Sequence, residues 1–140
     1  MKFSEIAEEQ WGELRPYLDT CLLPVTGMTG IEQPYEATEA LERLRDLMDL
    51  IETPYKGRVV TYPALHYIDE ETQANVVNRL CLSLKQSGFR YVIVISANNL
   101  EKLSCPDADI SIFPQLEGEI VTAATVSTLI QQMWNPSLGE

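Results

Sequence analysis

Hydrophobic positions along this chain follow two periods, and the clearest change between them falls in Asp69 to Asn99, DEETQANVVNRLCLSLKQSGFRYVIVISANN. Ala74, Val77, Leu80, Cys81 and Leu84 recur at helical spacing and define one buried face. Asp69 suits an N-cap, with Glu70 and Glu71 in the first turn, where negative charge is favoured. Gly88 is placed for a left-handed C-cap, and Phe89 for the hydrophobic contact that accompanies it. Arg90 to Ser96 then carries Val and Ile without alternation, the pattern of a strand buried on both faces of a parallel sheet. Ser96-Ala97-Asn98-Asn99 closes the segment with a polar turn.

The same reading applies along the rest of the chain. Ser4 to Tyr17 has Ile6, Ala7, Trp11 and Leu14 near helical spacing, and Gly12 and Pro16 divide it into two short helices. Thr20 to Val25 is the first strand, with Pro24 suited to a strand end or bulge. A loop, Thr26 to Tyr35, precedes a helix from Glu36 to Glu52 whose stripe is Ala37, Ala40, Leu41, Leu44, Leu47, Met48 and Ile51. Glu39 with Arg43 and Glu42 with Arg45 offer surface pairs on it. Gly57 to Pro63 is the second strand and Ala108 to Phe113 the fourth. Glu117 to Trp134 reads as the last helix, but Val121, Thr122, Thr125 and Val126 are β-branched and leave 119–126 open between strand and helix.

Strands alternating with helices through short connections imply right-handed crossovers and a sheet covered on both sides. The expected fold is α/β, a three-layer α/β/α sandwich with a mainly parallel sheet of about four strands, Rossmann-like in outline. At 140 residues the chain is one domain, with 1–19 a short helical lead-in. A chain of that length buries roughly two-thirds of its unfolded surface and needs no metal or disulfide staple.

Charge narrows the partners. The net charge is −11, from 21 acidic and 10 basic residues. Met1 to Thr53 holds 12 acids and 4 bases, net −8, and the remainder 9 and 6, net −3. Nucleic acid and anionic membrane are disfavoured, because binding there depends on Lys and Arg neutralising phosphate. Acid-coated helix faces that keep the protein soluble account for most of this charge, with a basic protein partner as the other reading. Cys21 and Cys81 lie in apolar patterns as small buried hydrophobes, while Cys105 precedes a proline in a loop and is the thiol to test for reactivity. MKFSEIAEEQW has no apolar core and is not a signal peptide. The longest apolar run, Tyr91 to Ile95, is far too short to span a bilayer. A cytoplasmic protein is expected.

Ligands of such sheets bind beyond the carboxyl ends of the strands. Thr26 to Tyr35, His66-Tyr67, Ser96 to Asn99 and Pro114-Gln115 should therefore converge on one edge. The TGMTG loop lacks the Gly-Lys-Ser/Thr ending of a phosphate loop and lies well before the helix, so it reads as a glycine turn. His66 is the only histidine, either a general base or a solvated loop residue. Glu32 or Glu36 would have to complete any metal set, and no spacing supports one. Ser96 and His66 supply the residue types of acyl-transfer chemistry without a Gly-x-Ser-x-Gly elbow. Asn98 and Asn99 could orient a carbonyl or ribose, or end the strand through local bonds. Tyr35, Tyr62 and Tyr67 lie around that edge, and Trp11 and Trp134 are either packing anchors or parts of a dimer contact.

Leu23-Pro24-Val25-Thr26-Gly27, Ile31-Glu32-Gln33-Pro34, Ser87-Gly88-Phe89-Arg90 and Ser96-Ala97-Asn98 resemble the motifs of creatininase-type amidohydrolases, over residues 14 to 100. The resemblance implies a creatininase-like scaffold with Glu32 at a ligand position, while Pro34 and Asn98 stand where that family has ligand histidines. A set without both histidines should not hold zinc tightly. The whole-chain pattern also looks like the YpiF-type bacterial domain of unknown function. The expectation is a non-catalytic domain, without cofactor or metal, that binds a small molecule or protein partner through Thr26, Glu32, His66, Ser96, Asn98 and Asn99. The alternative is a degenerate amidohydrolase or other hydrolase using Glu32 and His66. A homo-oligomer is the remaining expectation for partners.

Overall fold

The computed structural model describes residues 1–66, 70–98, 105–116 and 118–136. A 3-10 turn, Phe3–Glu5, and a short helix α1, Glu8–Leu14, lead into β1, Thr20–Val25. Then follow α2 (Pro34–Glu52), β2 (Val59–Thr61), α3 (Glu70–Gln86), β3 (Tyr91–Ser96) and β4 (Ile110–Ile112). A hairpin of β5 (Gln115–Leu116) and β6 (Glu119–Ile120) precedes α4, Ala123–Trp134.

The main sheet has order β2-β1-β3-β4 and is parallel throughout. Thr20 pairs with Tyr91 and Val25 with Ser96, so β1 and β3 run in register for their full length. The unalternating apolar runs are two alternations superposed, because successive side chains point to opposite faces. Cys21, Leu23, Val25, Val60, Val92 and Val94 face one core, which Val77, Cys81 and Leu84 of α3 close. Leu22, Val59, Ile93, Ile95 and Ile112 face the other, against Leu44, Met48 and Ile51 of α2 and Val126 and Ile130 of α4. The chain steps from β1 outward to β2 and back past β1 to β3, and same-handed crossovers then place α2 and α3 on opposite faces. The winding reverses between β1 and β3, the point at which such sheets open a crevice.

Several boundaries differ from those read in the sequence, each for a local reason. The first break falls at Ile6–Ala7, with Gly12 inside α1 and Pro16 in the turn after it. α2 starts at Pro34, two residues early: proline is the first helical residue, and the Glu36 carboxylate accepts from the Gln33 N–H at 3.0 Å. Arg45 pairs with its neighbour Asp46 instead of Glu42. β2 is shorter than expected because the chain detours through Tyr62–Ala64 before Leu65 rejoins β1 opposite Val25. Pro24 faces this detour, where its missing N–H leaves no ladder bond unmade; its carbonyl accepts from Leu65. The last helix begins only at Ala123, capped by Thr122, and the residues before it form the hairpin around Gly118, whose φ is +85°. Within the open stretch 119–126, Glu119–Ile120 is strand and 123–126 is helix. Asp69, proposed as the α3 cap, lies outside the described residues.

The N-terminal edge of the sheet is closed by one continuous network. Arg58 donates from both arms to Asp19, at 2.9 and 3.2 Å, and its guanidinium lies 4.0 Å over the Trp134 ring. The Trp134 indole N–H donates to Thr20 Oγ1 at 2.9 Å, and Tyr55 meets the same ring edge-on with centroids 5.0 Å apart. Trp134 is therefore an anchor that fastens the end of α4 under β1. Trp11 packs near Phe89, with ring centroids 6.1 Å apart.

Candidate functional site

The polar segments after β1 and β2 meet at the C-terminal edge. Thr26, the first residue beyond β1, is buried, and its N–H donates to the Leu65 carbonyl at 2.7 Å. That bond holds the next residue, His66, beside it: Thr26 Oγ1 and His66 Nδ1 are 2.9 Å apart. The Met28 N–H also donates to Thr26 Oγ1, at 3.2 Å. Gly27 follows with φ +75°, and a Cβ there would collide with the Asn98 amide. Only glycine satisfies both requirements.

On the other side of β1, the Asn98 N–H donates to Ser96 Oγ at 3.2 Å, and Asn98 Nδ2 reaches the Thr26 carbonyl at 3.5 Å. Ser96 is fully buried. These two residues brace the end of β1 from behind and, like Thr26 itself, are not among the residues that line the cleft beside His66.

The cleft itself has a volume of about 360 Å³ and is lined by Met28, Thr29, Gly30, Glu32, Ala37 and His66. Glu32 shapes its wall: one carboxylate oxygen accepts from the Thr29 N–H at 2.8 Å and the other from the Gly30 N–H at 2.9 Å. Gly30 has φ +101°, which turns successive amides toward one point. The Thr29 N–H is the main reason the Glu32 carboxyl is held below the usual carboxylate range, with the N–H groups of Glu32 itself and of Gly30 adding to it. The sequence reading of TGMTG as a turn agrees with the two positive-φ glycines, but the loop runs almost directly into α2 instead of lying well before it. The backbone donors of Thr29 and Gly30 were not singled out from sequence; the glycine spacing was the available signal.

Of the sequence-derived residues, Thr26, Glu32 and His66 are brought together, Ser96 and Asn98 support them, and Asn99 lies outside the described residues, as does Tyr67. Pro114 lines a separate groove with Leu47, Leu50, Ala97, Ile120 and Val121. Tyr62 packs edge-on against Phe3, with centroids 5.0 Å apart, and Tyr35 is exposed in the first turn of α2. Among the described residues, no group of three or more His, Cys, Asp or Glu side chains is placed to hold a metal ion. Pro34 starts α2, and Asn98 bonds the Thr26 carbonyl.

Cys105, read in the sequence as a loop thiol, is buried in the same core as Cys21 and Cys81. Burial pushes all three thiols up, Cys21 and Cys81 to about 12, which removes the thiolate that nucleophilic chemistry requires. Among the described residues no helix is long and apolar enough to cross a membrane.

A family model described as a protein of unknown function (DUF2487) matches residues 9–135, and the chain therefore belongs to that family. No curated protein and no solved structure matches the chain.

Proposed function

We propose that this member of DUF2487 is a non-catalytic domain that binds a small molecule in the cleft at the C-terminal edge of its sheet. The observation that carries this reading is that Glu32, from the loop after β1, and His66, from the segment after β2, line one cleft of about 360 Å³, with buried Thr26 bonded to His66 behind it. That volume lies within the range of roughly 300–1,000 Å³ usual for small-molecule sites. A cavity of about 410 Å³ lined by Phe3, Trp11, Phe89, Glu8 and Arg15 is the weaker candidate, because it lies before the start of β3 and not at the C-terminal edge, where such sheets bind ligands. The buried, unbridged thiols are consistent with a reducing, cytoplasmic setting, which belongs to the proposal.

Amide-shift mapping of the labelled protein against a small-molecule library tests the reading. Hits should move Thr26 to Glu32 and His66, and His66→Ala should abolish them. Glu32 and His66 lining the same cleft also favours a second reading, a residual hydrolase. Stoichiometric zinc or manganese in the purified protein, with hydrolysis lost in Glu32→Ala, would establish that reading instead.

A further inference from the structure

The cleft presents hydrogen-bond donors, and one set of them already holds an anion belonging to the chain itself. The amides of Thr29 and Gly30 converge on the two oxygens of Glu32, at 2.8 and 2.9 Å, in the manner of a backbone anion nest. Glu32 is neither buried nor ion-paired: its carboxylate has only this loop for partners among the described residues, with the Thr29 hydroxyl at 3.5 Å as the remaining one. A strut that had to be permanent would be expected to sit deeper. Among the described residues, its carboxylate has no bond outside its own loop to hold it there.

The histidine adds a donor of the same sense. Thr26 Oγ1 is buried and receives the Met28 N–H, so its own hydrogen needs an acceptor. The acceptor within reach is His66 Nδ1, 2.9 Å away. With Nδ1 accepting, the neutral ring carries its proton on Nε2, the nitrogen left free for the cleft. His66 in that tautomer offers an N–H to a ligand, not a basic lone pair.

We infer that the cleft is an oxyanion site, for a small molecule bearing a carboxylate or phosphate group, and that Glu32 occupies the anion position until such a ligand displaces it. This rests on the ligand-binding reading given above and adds the charge of the ligand and an internal competitor. An internal occupant lowers apparent affinity by the fraction of time the site is free. If Glu32 holds the amides about nine-tenths of the time, removing it raises affinity about tenfold.

The test is a titration of the ¹⁵N-labelled full chain with inorganic phosphate, and separately with acetate, for wild type, Glu32→Ala and Glu32→Ala/His66→Ala. Glu32→Ala should bind one of the two anions about tenfold or more tightly than wild type. The shifts should centre on the Thr29 and Gly30 amides and the His66 ring, and the double variant should lose the gain. Response to phosphate alone assigns a phosphate-bearing ligand; response to acetate assigns a carboxylate. Equal affinity in wild type and Glu32→Ala, shifts centred elsewhere, or loss of ordered Thr29 and Gly30 resonances in Glu32→Ala would each overturn the inference. In the last case Glu32 is a loop strut and nothing more. A neutral library compound that still moves Thr26 and His66 would leave the cleft as a ligand site while the anion assignment fails; no response from any compound removes both.

Discussion

The two edges of the sheet use similar polar residues to opposite ends. At the N-terminal edge, Arg58, Asp19, Thr20, Trp134, Tyr55 and Ser127 form a chain of contacts in which each polar group is answered by another fixed side chain. At the C-terminal edge, Thr26 is answered from within, but the loop amides are occupied by the half-exposed Glu32, and among the described residues only Nδ1 of the His66 ring is engaged. The difference teaches where an α/β domain keeps its stability and where it keeps its capacity to bind. Groups answered by part-buried side chains drawn from several elements and backed by an aromatic ring are held by the packing of α4 on the sheet. Groups answered by a carboxylate of their own loop are the ones that, on the reading proposed above, a ligand can compete for.

Trp134→Ala should break this comparison most severely. It removes the ring that carries Arg58 and Tyr55 and leaves Thr20 without its donor, at a cost of about 2–3 kcal/mol, below the fully buried range because the ring is half-buried, read as a fall in the urea midpoint. A loss under ~1 kcal/mol would mean that the N-terminal network is decorative. Gly27→Ala comes next, at about 2 kcal/mol, because a Cβ meets the Asn98 amide and φ is +75°. Amide resonances of Asn98 should shift with it, since the strain is local. His66→Ala should cost no more than ~1 kcal/mol, since it removes a single neutral hydrogen bond at an exposed residue.

Two pH responses sharpen the contrast further. Cys21 and Cys81 have folded-state values raised to about 12, so the fold favours their neutral form. The stability this contributes is complete below the ordinary thiol value and is lost as pH rises from there toward about 12. A thiol reagent should correspondingly leave native protein unmodified at neutral pH and label it only on unfolding. Glu32 acts in the opposite sense and more weakly. Its lowered value stabilises the loop above the ordinary carboxylate range, and that contribution is lost as pH falls through the folded-state value. The Thr29 and Gly30 amide shifts should titrate with it while global stability barely changes.

Much of this architecture is readable from the chain. Thr20–Val25 and Tyr91–Ser96 declare themselves because a strand covered on both faces has apolar residues at every position. Gly88, with φ +126°, and buried Phe89 end α3 as the pattern implies. What escaped the pattern is governed by contacts distant in sequence or by backbone geometry. Pro34 looks like a loop residue until Glu36 is seen to reach back to Gln33. The β5–β6 hairpin is two residues per strand, too short for any period to register. Cys105 reads as a loop thiol to test for reactivity because nothing near it in sequence reveals that Cys81 and Val92 lie in the same core.

The site divides along the same line. Thr26 and His66 follow from topology, since the ends of adjacent parallel strands must lie side by side. Glu32 was singled out for its carboxylate, but its role depends on the direction of the Thr29 and Gly30 N–H groups, which residue types do not encode. Ser96 and Asn98 lie at the end of β3, where they bond each other and, from Asn98, the Thr26 carbonyl, partners that residue types do not reveal.

The measurement that tests the central claim most directly is amide-shift mapping of the wild-type chain against a library of small molecules, repeated with His66→Ala. The account predicts perturbations clustered on Thr26 to Glu32 and His66, absent in the variant, with the Asp19–Arg58–Trp134 network unmoved. Perturbations centred on Phe3, Trp11 and Phe89, or unchanged by His66→Ala, would contradict it.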